Sequence, residues 1–142
     1  MKYRLLVYGS APDWVDRGVA EYAKRMPNFL LVRLSSKPVK TRMPRMFAAC
    51  GKNCTRVALD KSGTSFTSEG LAHQCDTWER QGRDVCFLIG DDVGFSGDDL
   101  CQADLIWSLS ALTLPHQLIR ILVCEQLYRA HAINRGSAYH RP

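Results

Sequence analysis

Apolar residues fall along the chain in short runs whose spacing changes from element to element. Residues 2–8 read as a strand, with Leu5, Leu6, Val7 and Tyr8 in succession before Gly9-Ser10 interrupts them. Ser10-x-x-Asp13, with Pro12 inside it, then predicts a helix start. Trp14, Val15, Val19, Tyr22 and Ala23 recur at steps of three and four and form the helix's inward face. Pro27-Asn28 ends it, and Phe29 to Leu34 is a second strand. From Ser35 to Gly51 the chain reads as irregular, because Pro38 and Pro44 restrict any helix to a short piece. Arg56 to Asp60 is a third strand and Ser68 to Gln81 a polar, amphipathic helix. Val85-Cys86-Phe87-Leu88-Ile89 is apolar without alternation, as a strand buried on both faces of a parallel sheet must be. Ser96 to Asp104 predicts a short acidic helix and Leu105 to Leu109 a fifth strand.

The longest helix is predicted from Pro115 or His116 to about Ile133. Leu118, Ile119, Ile121, Leu122, Val123, Leu127 and Tyr128 spread over most of its circumference. One core-facing stripe does not need that breadth, so a second buried face is expected, against another copy of the chain. Strands alternating with helices give an α/β fold, a mostly parallel sheet with helices on both faces, in one domain over residues 1–142.

Charge sharpens this picture. Arg33, Lys37, Lys40, Arg42, Arg45, Lys52 and Arg56 lie in a stretch with no acid, whereas Asp91 to Asp104 holds five acids and no base. A basic face of that density suits a polyanion, because each neutralised phosphate releases counterions; a solvated surface loop is the plain alternative. No apolar run approaches the roughly 18 residues of a membrane span. The first residues lack the long apolar run and small-residue cleavage site of a secretory signal. Cys86 and Cys124 sit inside apolar runs, which favours buried, reduced thiols over disulfides. Cys50-x-x-x-Cys54 has no matching second pair and His73-x-Cys75 stands alone, so a metal is not expected.

In open α/β sheets ligands bind beyond the carboxyl ends of the strands. Three such ends stand out: Leu59-Asp60, Gly90-Asp91-Asp92-Val93-Gly94, and Ser108 to His116. None carries a dinucleotide fingerprint, a P-loop or a nucleophile elbow. Beyond the last helix, a polar tail holds Tyr139, His140 and Arg141.

Taken together, Phe87 to Gly90, Gly94-Phe95-Ser96, Trp107 to His116 and Tyr139-His140-Arg141 resemble one family, as do Met1 to Tyr8, Pro12 to Val15 and Glu21-Tyr22. It is the H-type SPOUT-class methyltransferases of large-subunit ribosomal RNA. The likeness spans nearly the whole chain. It implies an α/β knot, a trefoil in which the C-terminal part threads through a loop, and a homodimer that buries the last helix. Leu118, Ile121, Leu122, Glu125 and Arg129 would lie at or near that interface. It implies S-adenosylmethionine as methyl donor, with no metal, and N3 of a pseudouridine in 23S ribosomal RNA of the assembled ribosome as target. A cytoplasmic location follows, with no membrane partner. The donor would be held by Leu59, Gly90, Asp91, Leu109, Ser110, Ala111, Leu112, Thr113 and Leu114. Tyr139, His140 and Arg141 would serve catalysis, His140 as proton acceptor or orienting group. Lys40, Arg42, Arg129 and Arg141 would meet RNA. His116 is expected to be structural.

The chain departs from the family where Gly-Gly-Pro-Glu-Gly reads Gly90-Asp91-Asp92-Val93-Gly94, and in a shorter stretch around Lys40 to Gly51. Asp91 is expected in a left-handed conformation there. Two other readings remain open: a SPOUT-like RNA-binding protein without catalysis, and a methyltransferase for a different RNA.

Overall fold

Side chains of a strand alternate between its two faces, so a strand covered on both sides is apolar at every position. In the computed structural model, which describes residues 1–142, this holds for β1 (Tyr3–Tyr8) apart from Arg4 and for β4 (Asp84–Leu88) after its first residue, Asp84. They are joined by β2 (Phe29–Leu34), β3 (Cys54–Ser65) and β5 (Leu105–Ser108) in a five-stranded sheet of order β2-β1-β4-β3-β5, every pairing parallel. The helices between are α1 (Asp13–Ala23), α2 (Arg42–Cys50), α3 (Ser68–Gln81), α4 (Gly97–Cys101) and α5 (His116–Asn134).

The two sheet faces make separate cores. Tyr3, Leu5, Val7, Val57, Leu59, Val85 and Phe87 face α1, α3 and α5, and meet Val15 and Val19, Leu71 and Trp78, and Val123 and Leu127 there. Leu6, Tyr8, Cys86 and Leu88 face Met46, Phe47 and Cys50 of α2. All six cysteines are free, and all but Cys101 are buried.

Several local readings change. Residues 42–50 form a nine-residue helix despite Pro44. Pro44 is its third residue, in the first turn, where a backbone N–H has no intrahelical acceptor to lose. Arg4 of β1 then donates to the carbonyls of Ala49 and Cys50 at the helix's C-terminal end. Ser10 does not cap α1. Pro12 precedes its first residue, with no side-chain cap bond. Trp14 is half exposed and leaves the inward face to Val15 and Val19. The acidic helix after β4 is shorter than expected, Gly97–Cys101, because the Ser96–Asp99 capping box starts it and no further apolar face extends it.

The third strand runs well past Asp60. It pairs with β5 through Leu59, breaks register in a bulge, and resumes with Thr64 and Ser65 opposite Trp107 and Ser108. Gly63 lies in that bulge, where an added Cβ would stand 2.4 Å from the Ile106 main chain. Only a residue without a side chain lets the strands close here. Gly63→Ala is therefore expected to cost roughly 1–3 kcal/mol or more, while Gly97→Ala, which meets nothing within 4 Å, stays near neutral. Chemical denaturation of both variants checks this, and equal stabilities would contradict it.

Candidate active site

Because the sheet is parallel, β1, β3, β4 and β5 end at the same edge. The loop after β4, the β3 bulge and the segment between β5 and α5 enclose a cavity there of about 540 Å³. Leu59, Gly90, Asp91, Leu109, Ser110, Leu112, Thr113 and Leu114 all line it. Ala111 does not, and its side chain is exposed.

The wall made by residues 90–94 is a tight turn. Gly94 donates its N–H to the carbonyl of Asp91 at 2.9 Å. Oδ1 of Asp91 also accepts from the N–H groups of Val93 and Gly94, at 2.9 and 3.1 Å. This self-bonding is what short acidic side chains do in turns. The left-handed residue is Gly94, with φ 81°, and not Asp91 as expected; Asn53 is the one non-glycine with positive φ. The turn needs a single left-handed position, and Gly94 supplies it without strain. Gly90 packs closely, since a Cβ on it would lie 3.3 Å from the Gly94 main chain. Oδ2 of Asp91 takes a hydrogen bond from Nη1 of Arg42 in a half-buried ion pair. Asp92 beside it is exposed and lines the cavity.

The opposite wall folds back on itself. Ser108 donates to the carbonyl of Ser110 at 3.0 Å, and Oγ of Ser110 accepts from the N–H of Leu112 at 3.0 Å. Nζ of Lys61 reaches Oγ1 of Thr113 at 3.3 Å, linking the β3 bulge to this loop. Trp107 and Ile119 give the cavity an apolar floor, and His116 opens α5 at its rim. An apolar hollow with a few fixed polar groups is the usual form of a small-molecule site.

One residue beneath this site went unforeseen. Arg120 of α5 is 1% exposed, and its Nη2 donates to the carbonyl of Tyr8 at 2.6 Å, with Gly9 O at 3.4 Å. Burial lowers its pKa from the usual arginine value. The available signal was a lone cation between Leu118-Ile119 and Ile121-Leu122.

The polar tail docks on the rest of the chain. The Tyr139 ring packs edge-on against Tyr128 at 4.8 Å, with the Arg129 guanidinium 4.9 Å from its centroid. Its hydroxyl donates to Oε1 of Glu125 at 3.1 Å. Burial first, then Glu125, pushes its pKa up to about 12. Arg129 pairs with Glu125 at 2.6 Å and meets Nδ1 of His140 at 3.0 Å, while Nε2 of His140 meets Oε1 of Glu69 at 2.8 Å. Arg129 can only donate, so Nδ1 accepts and Nε2 carries the proton toward Glu69. None of Tyr139, His140 and Arg141 lines the cavity. Lys40 and Arg141 are exposed, whereas Arg42 and Arg129 are turned into internal pairs.

No helix is long and apolar enough to cross a membrane, and no group of three or more His, Cys, Asp or Glu is arranged to hold a metal. The family described as "Predicted SPOUT methyltransferase" matches residues 1–140, and the chain belongs to that family. Relatives named ribosomal RNA large subunit methyltransferase H are 38% identical in Thioalkalivibrio sulfidiphilus, 41% in Paraburkholderia xenovorans and 40% in Xanthomonas campestris, each over 99% of both chains. Among solved structures, one described as a "probable methylase family protein" of Haemophilus influenzae matches with TM-score 0.66 over 99% of this chain and 70% of its own, at 12% identity. The SpoU methyltransferase AviRb of Streptomyces viridochromogenes matches with TM-score 0.53 over 96% and 61%, at 13% identity. These two share the fold.

Glu125 is the hub of the docked tail. Glu125→Ala removes an acceptor shared by Tyr139 and Arg129, each bond to a charged group contributing about 1.5–3 kcal/mol. Amide hydrogen exchange over residues 137–142 is expected to quicken by roughly tenfold or more, with the sheet unaffected. Unchanged tail exchange would show that Glu125 does not hold it.

Proposed function

We propose that the chain methylates N3 of a pseudouridine in 23S ribosomal RNA of the assembled ribosome, with S-adenosylmethionine bound in the cavity at the strand ends. The observation that carries this is the cavity itself, built from the loop after β4 and the segment before α5 in a chain of the SPOUT family. Its relatives' name supplies the RNA.

The residues present fit such a donor. A volume of about 540 Å³ suits a molecule of nucleoside-amino-acid size. Gly90 leaves room that a Cβ would take up against Gly94. Leu59, Leu109 and Leu114 would hold the adenine, with main-chain groups of 109–114 reading its edge, and exposed Asp92 would face the cationic end. The bound donor supplies an electrophilic methyl group, so no metal is needed. The protein's own work is to orient the RNA base and take the proton from its N3.

His140 is the proposed group that orients the base or, once Nδ1 is released by Arg129, takes that proton, but it does not reach the cavity of its own protomer. The cavity is rimmed by His116 at the start of α5, and the tail packs around Arg129. Those positions are about 20 Å apart along the helix at 1.5 Å per residue. A two-fold pairing of antiparallel α5 helices removes the separation, because one protomer's N-terminal turn then lies beside its partner's C-terminal half. Leu118 and Leu122, 40% and 37% exposed, supply the apolar face for that pairing. In this reading the chain is a homodimer, and each cavity is completed by the partner's tail. Lys40 and Arg141, both exposed, would meet RNA phosphate.

The knot belongs to the same proposal. The sheet places β5 at its edge, three strands away from β1, yet Arg120 on the following helix reaches β1's carboxyl end. The chain therefore returns across the sheet, as threading through the loop after β4 would require.

Transfer of a labelled methyl group to ribosomes tests the reading. Wild-type protein is expected to transfer. Deleting residues 139–142, or introducing Gly90→Val, is expected to abolish transfer with the fold intact. Mixing the two inactive proteins should restore up to about a quarter of wild-type transfer, since random re-pairing makes half the dimers mixed, each with one complete site. Full transfer by the truncated protein would remove the tail from the mechanism, and no recovery on mixing would place it in its own protomer's site.

A further inference from the structure

The basic stretch from Arg33 to Arg56 is not uniform in what its cations face. Lys40 is exposed, but the Arg42 guanidinium is committed on two sides. Its Nε donates to the carbonyl of Ser36 at 2.6 Å, and Nη1 donates to Oδ2 of Asp91. Its CZ lies 5.7 Å from the centroid of the Tyr8 ring, and the Tyr8 hydroxyl donates to the Arg42 carbonyl at 2.6 Å. The ion pair is largely shielded, with side chains 17% and 20% exposed. Arg42 is thus fastened to the end of β1 and to the linker before α2, and from there grips the turn that walls the cavity.

That grip matters because the turn has little else to orient it. Its other hydrogen bonds are internal: Val93 and Gly94 to the Asp91 side chain, and Gly94 to the Asp91 carbonyl. Those bonds fix the turn's shape but not its tilt relative to the sheet. Asp92, Val93 and Gly94 are exposed. Arg42 to Asp91 is the hydrogen bond from residues 90–94 to another part of the chain. The two oxygens of Asp91 therefore divide the labour, Oδ1 holding the turn together and Oδ2 holding it in place.

We propose that Arg42 is a positioning residue for donor binding: through Asp91 it holds the 90–94 wall in its binding-competent orientation, and it is not an RNA contact. This rests on the reading of the cavity as the S-adenosylmethionine site. A wall held before the ligand arrives spares the ordering cost on binding, so breaking the pair weakens donor affinity. It also leaves a half-buried charge without its partner. With Nε and Nη1 taken, an RNA phosphate would meet only the remaining Nη2 of Arg42 unless it displaced Asp91.

Calorimetric titration of S-adenosylmethionine into the full-length protein tests this with Asp91→Asn, Arg42→Met, Arg42→Lys and the Arg42→Met/Asp91→Asn pair. Asp91→Asn keeps one oxygen for the turn and presents to Arg42 an amide NH2 that cannot accept, so it removes both the charge and the hydrogen bond there at constant side-chain size. Each of Asp91→Asn and Arg42→Met is expected to raise the donor Kd by roughly tenfold. The double variant should be little worse than either, because one interaction is lost in all three. Arg42→Lys keeps the charge and should recover part of the affinity. In steady-state transfer the KM for donor should rise, while the KM for ribosomes and the salt slope of ribosome binding stay at wild-type values. Donor affinities within about twofold of wild type, or additive losses, overturn the proposal. So does a change confined to ribosome KM and salt slope, which would make Arg42 an RNA contact after all. If wild-type protein itself binds no donor, the reading of the cavity falls and this proposal with it; normal binding by wild type and variants alike removes only the role of Arg42.

Discussion

A buried guanidinium bonded to main-chain carbonyls holds the site together. Arg120 reaches the last residues of β1 from α5, and the carbonyls of Tyr8 and Gly9 accept from it. No carboxylate pairs with Arg120, although burying a cation is costly. The carbonyls at a parallel strand's end need donors once they leave the ladder, and the Nη groups of Arg120 supply them, while its buried Nε has no partner. The consequence is geometric. Because α5 is drawn back from edge strand β5 to β1, the segment between β5 and α5 must lie across the ends of the strands. It faces the turn after β4 there, and the cavity is the space between them.

The same economy runs through the charged residues around the cavity. Asp91 is neutralised by Arg42 and by two main-chain donors, while Asp92 is left free in the wall. Arg129 is absorbed by Glu125 and His140. The charges left free of internal pairs include Asp92, Asp60 and Lys61 in the cavity lining, Lys40 before α2 and Arg141 at the tail.

Much of this was legible in the order of residues. The continuous run at 85–89 announced a strand buried on both faces, and the three strand ends that line the cavity were visible as Leu59-Asp60, the Gly90 loop and Ser108 to His116. What escaped was set by contacts between distant segments. The extension of β3 to Ser65 depends on Gly63 fitting against Ile106, which no local pattern in Lys61-Ser62-Gly63 reveals. Pro44 looked like a breaker because its position within the first turn of α2 was not visible. Asp91 was expected to carry the strained backbone, whereas the turn assigns that to Gly94 and uses the Asp91 side chain as an internal brace. Arg42 and Lys40 look alike in sequence, and only the ion pair with Asp91 separates them. The tail reads only as polar in sequence, yet Tyr128, Glu125 and Glu69 give it a dock.

The most direct test of the central claim is mass spectrometry of the nucleosides of 23S ribosomal RNA from cells lacking this chain and from the same cells with it restored. If the cavity delivers a methyl group to a pseudouridine, one N3-methylated pseudouridine disappears on deletion and returns with the wild-type chain but not with Gly90→Val. Identical methylation in the deleted and restored cells would contradict the account.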